Sequence, residues 1–127
     1  MLSDCTPVAT LPTADVARAR KFYEETLGLT PVREDVAGIM YRCGEGNLFL
    51  YQSEYAGTNK ATAVTFMVSD DRFDGEIDAL RKKGVTFQTF EYEGMEWKDD
   101  VMVSDEMRGV WFSDPDGNIL NVGTEGM

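Results

Sequence analysis

The side chains able to do chemistry in this chain are few, and one absence constrains them all: none of the 127 residues is histidine. Imidazole is the one side chain whose ordinary pKa lies near neutrality. Ser-His-Asp and Cys-His catalysis within one chain are therefore excluded, as is any His-ligated metal site. Cys5 and Cys43 form neither a CxxC pair nor a zinc pattern, and a nucleophilic thiol would lack the base or cation it needs. Both read as small buried apolar groups. The remaining acid-base candidates are Glu91, Glu93, Glu96 and Asp99, each of which could act only if desolvation raised its pKa. Arg42 and Arg108 could hold an anion, although Arg42 lies in an alternating run and suits a solvent-facing position equally. Two indoles, Trp97 and Trp111, offer flat faces to an aromatic or cationic ligand. Trp111, beside Phe112, also fits an ordinary core position.

Charge narrows the partners. Twelve Lys and Arg stand against 23 Asp and Glu, for a net charge of −11. Capture of phosphate backbones or anionic lipid needs positive charge at several points, so neither nucleic acid nor a membrane is an expected partner. No apolar run approaches the roughly 20 residues of a spanning helix. Met1-Leu2-Ser3-Asp4-Cys5 has neither the basic start nor the apolar stretch of a signal peptide, so the expected location is cytoplasmic. A chain of this length buries roughly two-thirds of its unfolded surface and can fill one core unaided. Residues 1–127 are read as one domain.

The elements that must position these groups follow from periodicity. Residues 7 to 12 read as a strand, and Asp15 caps a helix with Val16, Ala19, Phe22, Tyr23 and Leu27 on one stripe. Gly28 stops it. Residues 30 to 33 look extended, and alternating runs at 39–43 and 47–52 form a hairpin across Gly44-Glu45-Gly46. The order then repeats: a strand at 63–69, a helix opened by Asp71 with Phe73, Ile77 and Leu80 inward, a stop at Gly84, extended chain at 85–90, and a final hairpin, 108–113 and 118–123, turning on Asp114-Pro115-Asp116-Gly117. Asp15 and Asp71, Gly28 and Gly84, and Leu29 and Val85 are each 56 residues apart. This spacing predicts an α+β fold of two tandem βαβββ modules, about 6–53 and 61–124.

The copies differ at residues 91–106, which hold seven acids against one lysine together with Met95, Trp97 and Met102. A charge run is ordinarily a solvated surface. A solvated surface needs no indole, however, and Trp97 could instead cap a flap over a pocket.

Asp15 to Leu29, with its Asp, then Phe22-Tyr23, then Leu27-Gly28, resembles the first helix of the vicinal-oxygen-chelate superfamily, the glyoxalase, bleomycin-resistance and extradiol-dioxygenase group. Asp114-Pro115-Asp116-Gly117-Asn118 followed by Ile119-Leu120 is similar to that group's closing hairpin. The resemblance implies curled mixed sheets around a cleft, usually completed by a homodimer. In the superfamily's metalloenzymes, His, Glu or Gln from the first, fourth, fifth and eighth strands hold a divalent cation. The matching positions here are Val8, Leu50, Thr65 (or Val64) and Asn121. Two apolar groups, a hydroxyl and a neutral amide do not suit a hard or borderline cation, so no metal and no other cofactor is expected.

Strand alternation assigns Val8, Thr10, Leu50, Thr65, Met67, Ile119 and Asn121 to the cleft, with Trp97 and Trp111 as ligand faces. The expected function is metal-independent binding of a small organic molecule, aromatic or cationic. Histidine-free members of this superfamily include proteins that protect cells by binding bleomycin-type or mitomycin-type drugs unaltered, and an acidic flap would concentrate basic ligands. Two alternatives stand beside it: a metal-free lyase or isomerase using carboxylate or tyrosine, and a partner-binding structural module without a cavity.

Overall fold

The computed structural model describes residues 1–91, 93–105 and 107–124. Among the described residues nine strands and two α-helices run in the order β1 (Ala9–Thr13), α1 (Val16–Lys21), β2 (Thr30–Asp35), β3 (Gly38–Cys43), β4 (Gly46–Gln52), β5 (Thr62–Val68), α2 (Asp70–Lys82), β6 (Glu96–Lys98), β7 (Val101–Val103), β8 (Arg108–Ser113) and β9 (Ile119–Thr124). They form two sheets, β1-β4-β3-β2 and β5-β9-β8-β7-β6, in which β1-β4 and β5-β9 are parallel pairs and the rest antiparallel. The chain divides into two compact units, the first Met1–Asn59 with Pro115–Asn118 and the second Lys60–Asp114 with the residues from Ile119 onward.

In the first unit Asp15 caps α1, its carboxylate accepting from the Arg18 N–H at 3.1 Å. Past Lys21 the helix widens into a π turn, Phe22–Thr26, and Gly28 ends it at a φ of +75°. Ala19 and Tyr23 from this helix are buried with Leu11, Ile39, Tyr41, Leu48 and Leu50 from the sheet, none more than 2% exposed. Burying a side chain of this size contributes about 1.5 to 3 kcal/mol. One polar network lies beside this core. The Tyr41 hydroxyl donates to Glu24 at 2.9 Å, and Arg20 bridges Glu24 at 2.7 Å and Glu34 at 2.8 Å. At the outer edge, all six residues of β2 are exposed, and a bulge falls between Pro31 and Arg33. Asp116 accepts from the Ala14 N–H at 2.9 Å and pairs with Arg18 at 3.0 Å.

In the second unit Phe73, Ile77 and Leu80 of α2 are buried with Phe87, Val110, Phe112, Leu120 and Val122. The Arg108 guanidinium lies over the Phe73 ring, 4.6 Å from its centroid, and pairs with Asp70 and Asp74.

Several boundaries differ from the sequence reading. The helix α2 opens at Asp70 with Ser69 as its cap, so Asp71 sits inside the first turn, where both carboxylates meet the positive helix end. The repeat therefore survives at the helix ends, where Gly84 has a φ of +88°, and slips at the helix starts. Residues 85–90 supply only one bridge, Gln88 to Trp111. The free side of β8 is shared, because β7 takes the positions opposite Arg108 and Gly109. Half of the expected acidic loop is instead the hairpin β6-β7, turning on Asp99 and Asp100 at φ values of +49° and +66°. Left-handed conformations at both corners give a turn whose twist suits paired strands. Tyr92 and Glu106 lie outside the described residues. Cys5 is exposed and Cys43 half-buried rather than both buried, and burial pushes the Cys43 thiol up.

Candidate functional site

Register decides which side chains share a face. Across the second sheet, Trp97 pairs with Met102, Met102 with Gly109, Gly109 with Gly123 and Gly123 with Met67. The neighbouring row runs from Trp111 through Asn121 to Thr65. Because alternate residues point the same way, Thr65, Met67, Trp97, Trp111, Ile119 and Asn121 lie on one face. Val64, Phe66, Val110, Phe112, Leu120 and Val122 lie on the other, the face that carries the buried side chains packed with α2.

The former face carries an aromatic cluster. Phe90 meets Trp97 at 6.2 Å and Trp111 at 5.7 Å between centroids, and the two indoles are 5.9 Å apart. The edge-to-face geometry of the Phe90–Trp111 and Trp97–Trp111 pairs is the favoured one for ring quadrupoles. Trp111 is anchored twice, its N–H donating to the Thr62 hydroxyl at 3.1 Å and its carbonyl accepting from the Gln88 N–H at 2.8 Å. Both indoles are half-buried, while Phe90 and Met67 are exposed. Beside Trp111, Asn121 is buried and donates through Nδ2 to the Val110 carbonyl at 3.0 Å. Phe90 was not among the sequence-derived site residues: it ends the extended stretch 85–90, and only the fold brings it against Trp97 and Trp111.

In the first unit the sequence-derived residues fare differently. Leu50 pairs with Leu11 and Ile39 and is fully buried, so it belongs to the core face under α1 and not to the open one. The reason is register: Thr10 stands opposite Phe49. Thr10 is exposed, with its hydroxyl donating to the Val8 carbonyl at 3.0 Å, and Val8 precedes β1 and is exposed. The open face of this sheet carries instead Met40, Phe49 and Tyr51, the last two rings stacked at 6.3 Å with 4° between planes. Parity from Thr10 would have found them, had the strand pairing been known.

The acid-base candidates Glu91, Glu93, Glu96 and Asp99 are all exposed. Arg42 is exposed on the open face of the first sheet, and Arg108 is committed to Asp70, Asp74 and Phe73. Of the four ligand positions expected from the sequence, Leu50 is turned into the core beneath α1 and is no ligand position, and Val8, Thr65 and Asn121 supply no carboxylate or imidazole. Among the described residues no three His, Cys, Asp or Glu side chains are grouped to hold an ion. The side chains of Val8, Thr65 and Asn121 do not suit a divalent cation. No described helix is long and apolar enough to cross a membrane.

Comparison with known proteins follows the same lines. No curated protein matches the chain by sequence. Among solved structures, fosfomycin resistance protein FosX from Listeria monocytogenes superposes with a TM-score of 0.75 at 12% identity, covering 100% of this chain and 97% of that one. Lactoylglutathione lyase from Agrobacterium tumefaciens gives 0.70 at 16% identity, covering 98% and 96%. An integron cassette protein from the mobile metagenome of V. cholerae gives 0.67 at 23% identity, covering 99% and 98%. At these identities the likeness is one of fold, and it extends over tandem βαβββ modules. Residues 6–122 match the family as a whole, and the chain belongs to the Glyoxalase/Bleomycin resistance protein/Dioxygenase superfamily.

Proposed function

We propose that this chain is a metal-independent small-molecule-binding member of its superfamily, sequestering an aromatic compound on the open face of the second sheet. The observation that carries the reading is the Phe90–Trp97–Trp111 cluster on a face lined by Thr65, Met67 and Asn121. Such a face combines large apolar area with a few polar groups that orient a ligand. Val8, Thr65 and Asn121 offer no carboxylate or imidazole to hold the Lewis acid that the superfamily's metalloenzymes use, while the aromatic face offers a surface on which a flat molecule can stack. The acidic hairpin β6-β7 carries Trp97 to the cluster, and its net negative charge favours capture of a basic compound. The exposed carboxylates of that hairpin are solvated, which gives no support to acid-base catalysis. The working assembly in this reading is a cytoplasmic homodimer, checked by light scattering.

Thermal-shift screening against small aromatics, basic antibiotics and thiol conjugates tests the proposal. A ligand that binds only the folded state raises the melting temperature in proportion to ln(1 + [L]/Kd). Elemental analysis should show no stoichiometric metal, and chelator should leave the melting curve unchanged. A chelator-dependent melt would overturn metal independence. Chemical alteration of a stabilising compound would replace sequestration with catalysis.

A further inference from the structure

The buried amide of the aromatic face has a fixed orientation. Asn121 is only 8% exposed. Its Nδ2 donates to the Val110 carbonyl at 3.0 Å, and that contact fixes the amide's orientation, because an amide oxygen could not face a carbonyl oxygen. No described residue donates to its Oδ1. The amide lies against a cross-strand glycine pair: a Cβ built on Gly123 would stand 3.4 Å from Oδ1, and one on Gly109 would stand 3.3 Å from Nδ2 and 3.5 Å from the Trp111 ring. Amide and indole therefore share one glycine shelf. The other strong donor of the face, the Trp111 N–H, is already taken by Thr62.

Charge points the same way. The face residues Thr65, Met67, Trp97, Met102, Trp111 and Asn121 include no cation. The carboxylates of Glu91, Glu93, Glu96, Asp99, Asp100 and Asp105 take part in none of the ion pairs of the described residues, which engage other acids. Asn121 Oδ1, fixed by the contact of its amide, is an acceptor open to a donor from outside the chain.

We infer that the ligand of this face carries a protonated amine whose N–H donates to Asn121 Oδ1 while its aromatic body lies on the indoles. The inference rests on the reading that the face binds an aromatic molecule, and it names the chemical class. A carboxylate or phosphate would meet a face without a cation, beside a hairpin of net negative charge.

Three probes with one aromatic body decide it: 2-naphthylmethylamine, its N,N,N-trimethyl derivative and 2-naphthoate, titrated against the intact chain with tryptophan fluorescence as readout. The primary and quaternary cations carry the same charge, but only the first has N–H donors. The primary amine should bind at least about tenfold more tightly than the quaternary cation, the range expected of a charge-assisted hydrogen bond, and naphthoate should bind most weakly. Asn121→Leu should bring the two cations within about threefold of each other by removing the acceptor. Equal binding of the two cations by the unmodified chain overturns the inference and leaves the aromatic site standing. Failure of all three probes to bind overturns the site itself. The unmodified chain decides the question even if the Asn121 variant does not fold.

Discussion

Tyr41→Phe removes one oxygen from the core of the first unit, and its consequences can be worked through pH. The Tyr41 side chain is fully buried and its hydroxyl donates to Glu24 at 2.9 Å. A hydrogen bond to a charged group contributes about 1.5 to 3 kcal/mol. Glu24 keeps its contact with Arg20 at 2.7 Å in the variant, so the low end applies and the loss near neutrality should be about 1.5 kcal/mol. Burial first, then the hydrogen bond and the negative charge of Glu24, hold the phenol pKa well above its ordinary value of 10.0. The native protein thus keeps this proton after the unfolded chain has released it. Above that ordinary value the unfolded state binds fewer protons than the native one, and stability falls by up to about 1.4 kcal/mol per pH unit. Below it the contribution is complete. The variant lacks this group, so subtracting its curve isolates Tyr41. Urea unfolding between about pH 8 and about pH 11 should show a gap of about 1.5 kcal/mol that closes over the last unit. A gap that stays constant to the alkaline end would refute the reasoning, because it would mean the buried phenol ionises no later than a solvated one.

Other perturbations separate core from site. Leu50→Ala should destabilise the protein by about 3 kcal/mol in urea unfolding without altering the affinity of an aromatic probe; a weakened probe would return Leu50 to the ligand face. Trp97→Ala should weaken an aromatic ligand by about 1 to 3 kcal/mol, and an unchanged Kd by fluorescence titration would remove the hairpin from the binding surface. Gly38→Ala places a Cβ 2.1 Å from the Leu50 carbonyl oxygen and 2.9 Å from the Phe49 ring. It should cost about 1 to 3 kcal/mol in thermal unfolding as β3 and β4 move apart, and a neutral substitution would show the two strands free to shift.

What the sequence made legible was whatever depends on local pattern. The Asp15 cap, the buried pair Ala19 and Tyr23, the inward trio of α2 and the turn at Asp114-Pro115-Asp116-Gly117 all follow from spacing within a few residues. The misses lie where pairing partners decide. Leu50 and Phe49 both alternate, and only the pairing of Thr10 with Phe49 says which one lies beneath the helix. The stretch 85–90 has strand-like alternation, yet β7 occupies part of the edge of β8 it would need, leaving room for one bridge at Gln88. The hairpin β6-β7 was hidden for another reason. Its turn is Asp99-Asp100 in left-handed conformations, and with no glycine at either corner the sequence carried no hairpin signal there. Trp97 was the clue that survived, since an indole within so much charge needed an apolar neighbour, and Phe90 and Trp111 supply it.

The outermost strand of the first sheet has a consequence for the protein in concentrated solution. A bare strand edge is a template on which another chain can add, and runaway addition leads to fibrils. In β2, Pro31 offers no N–H, the bulge after it breaks the even spacing an incoming strand would need, and Arg33, Glu34 and Asp35 would bring charge into any stacked copy. The border of this sheet is thereby guarded against self-templating, and substitutions that straighten or neutralise it are the ones to fear for solubility.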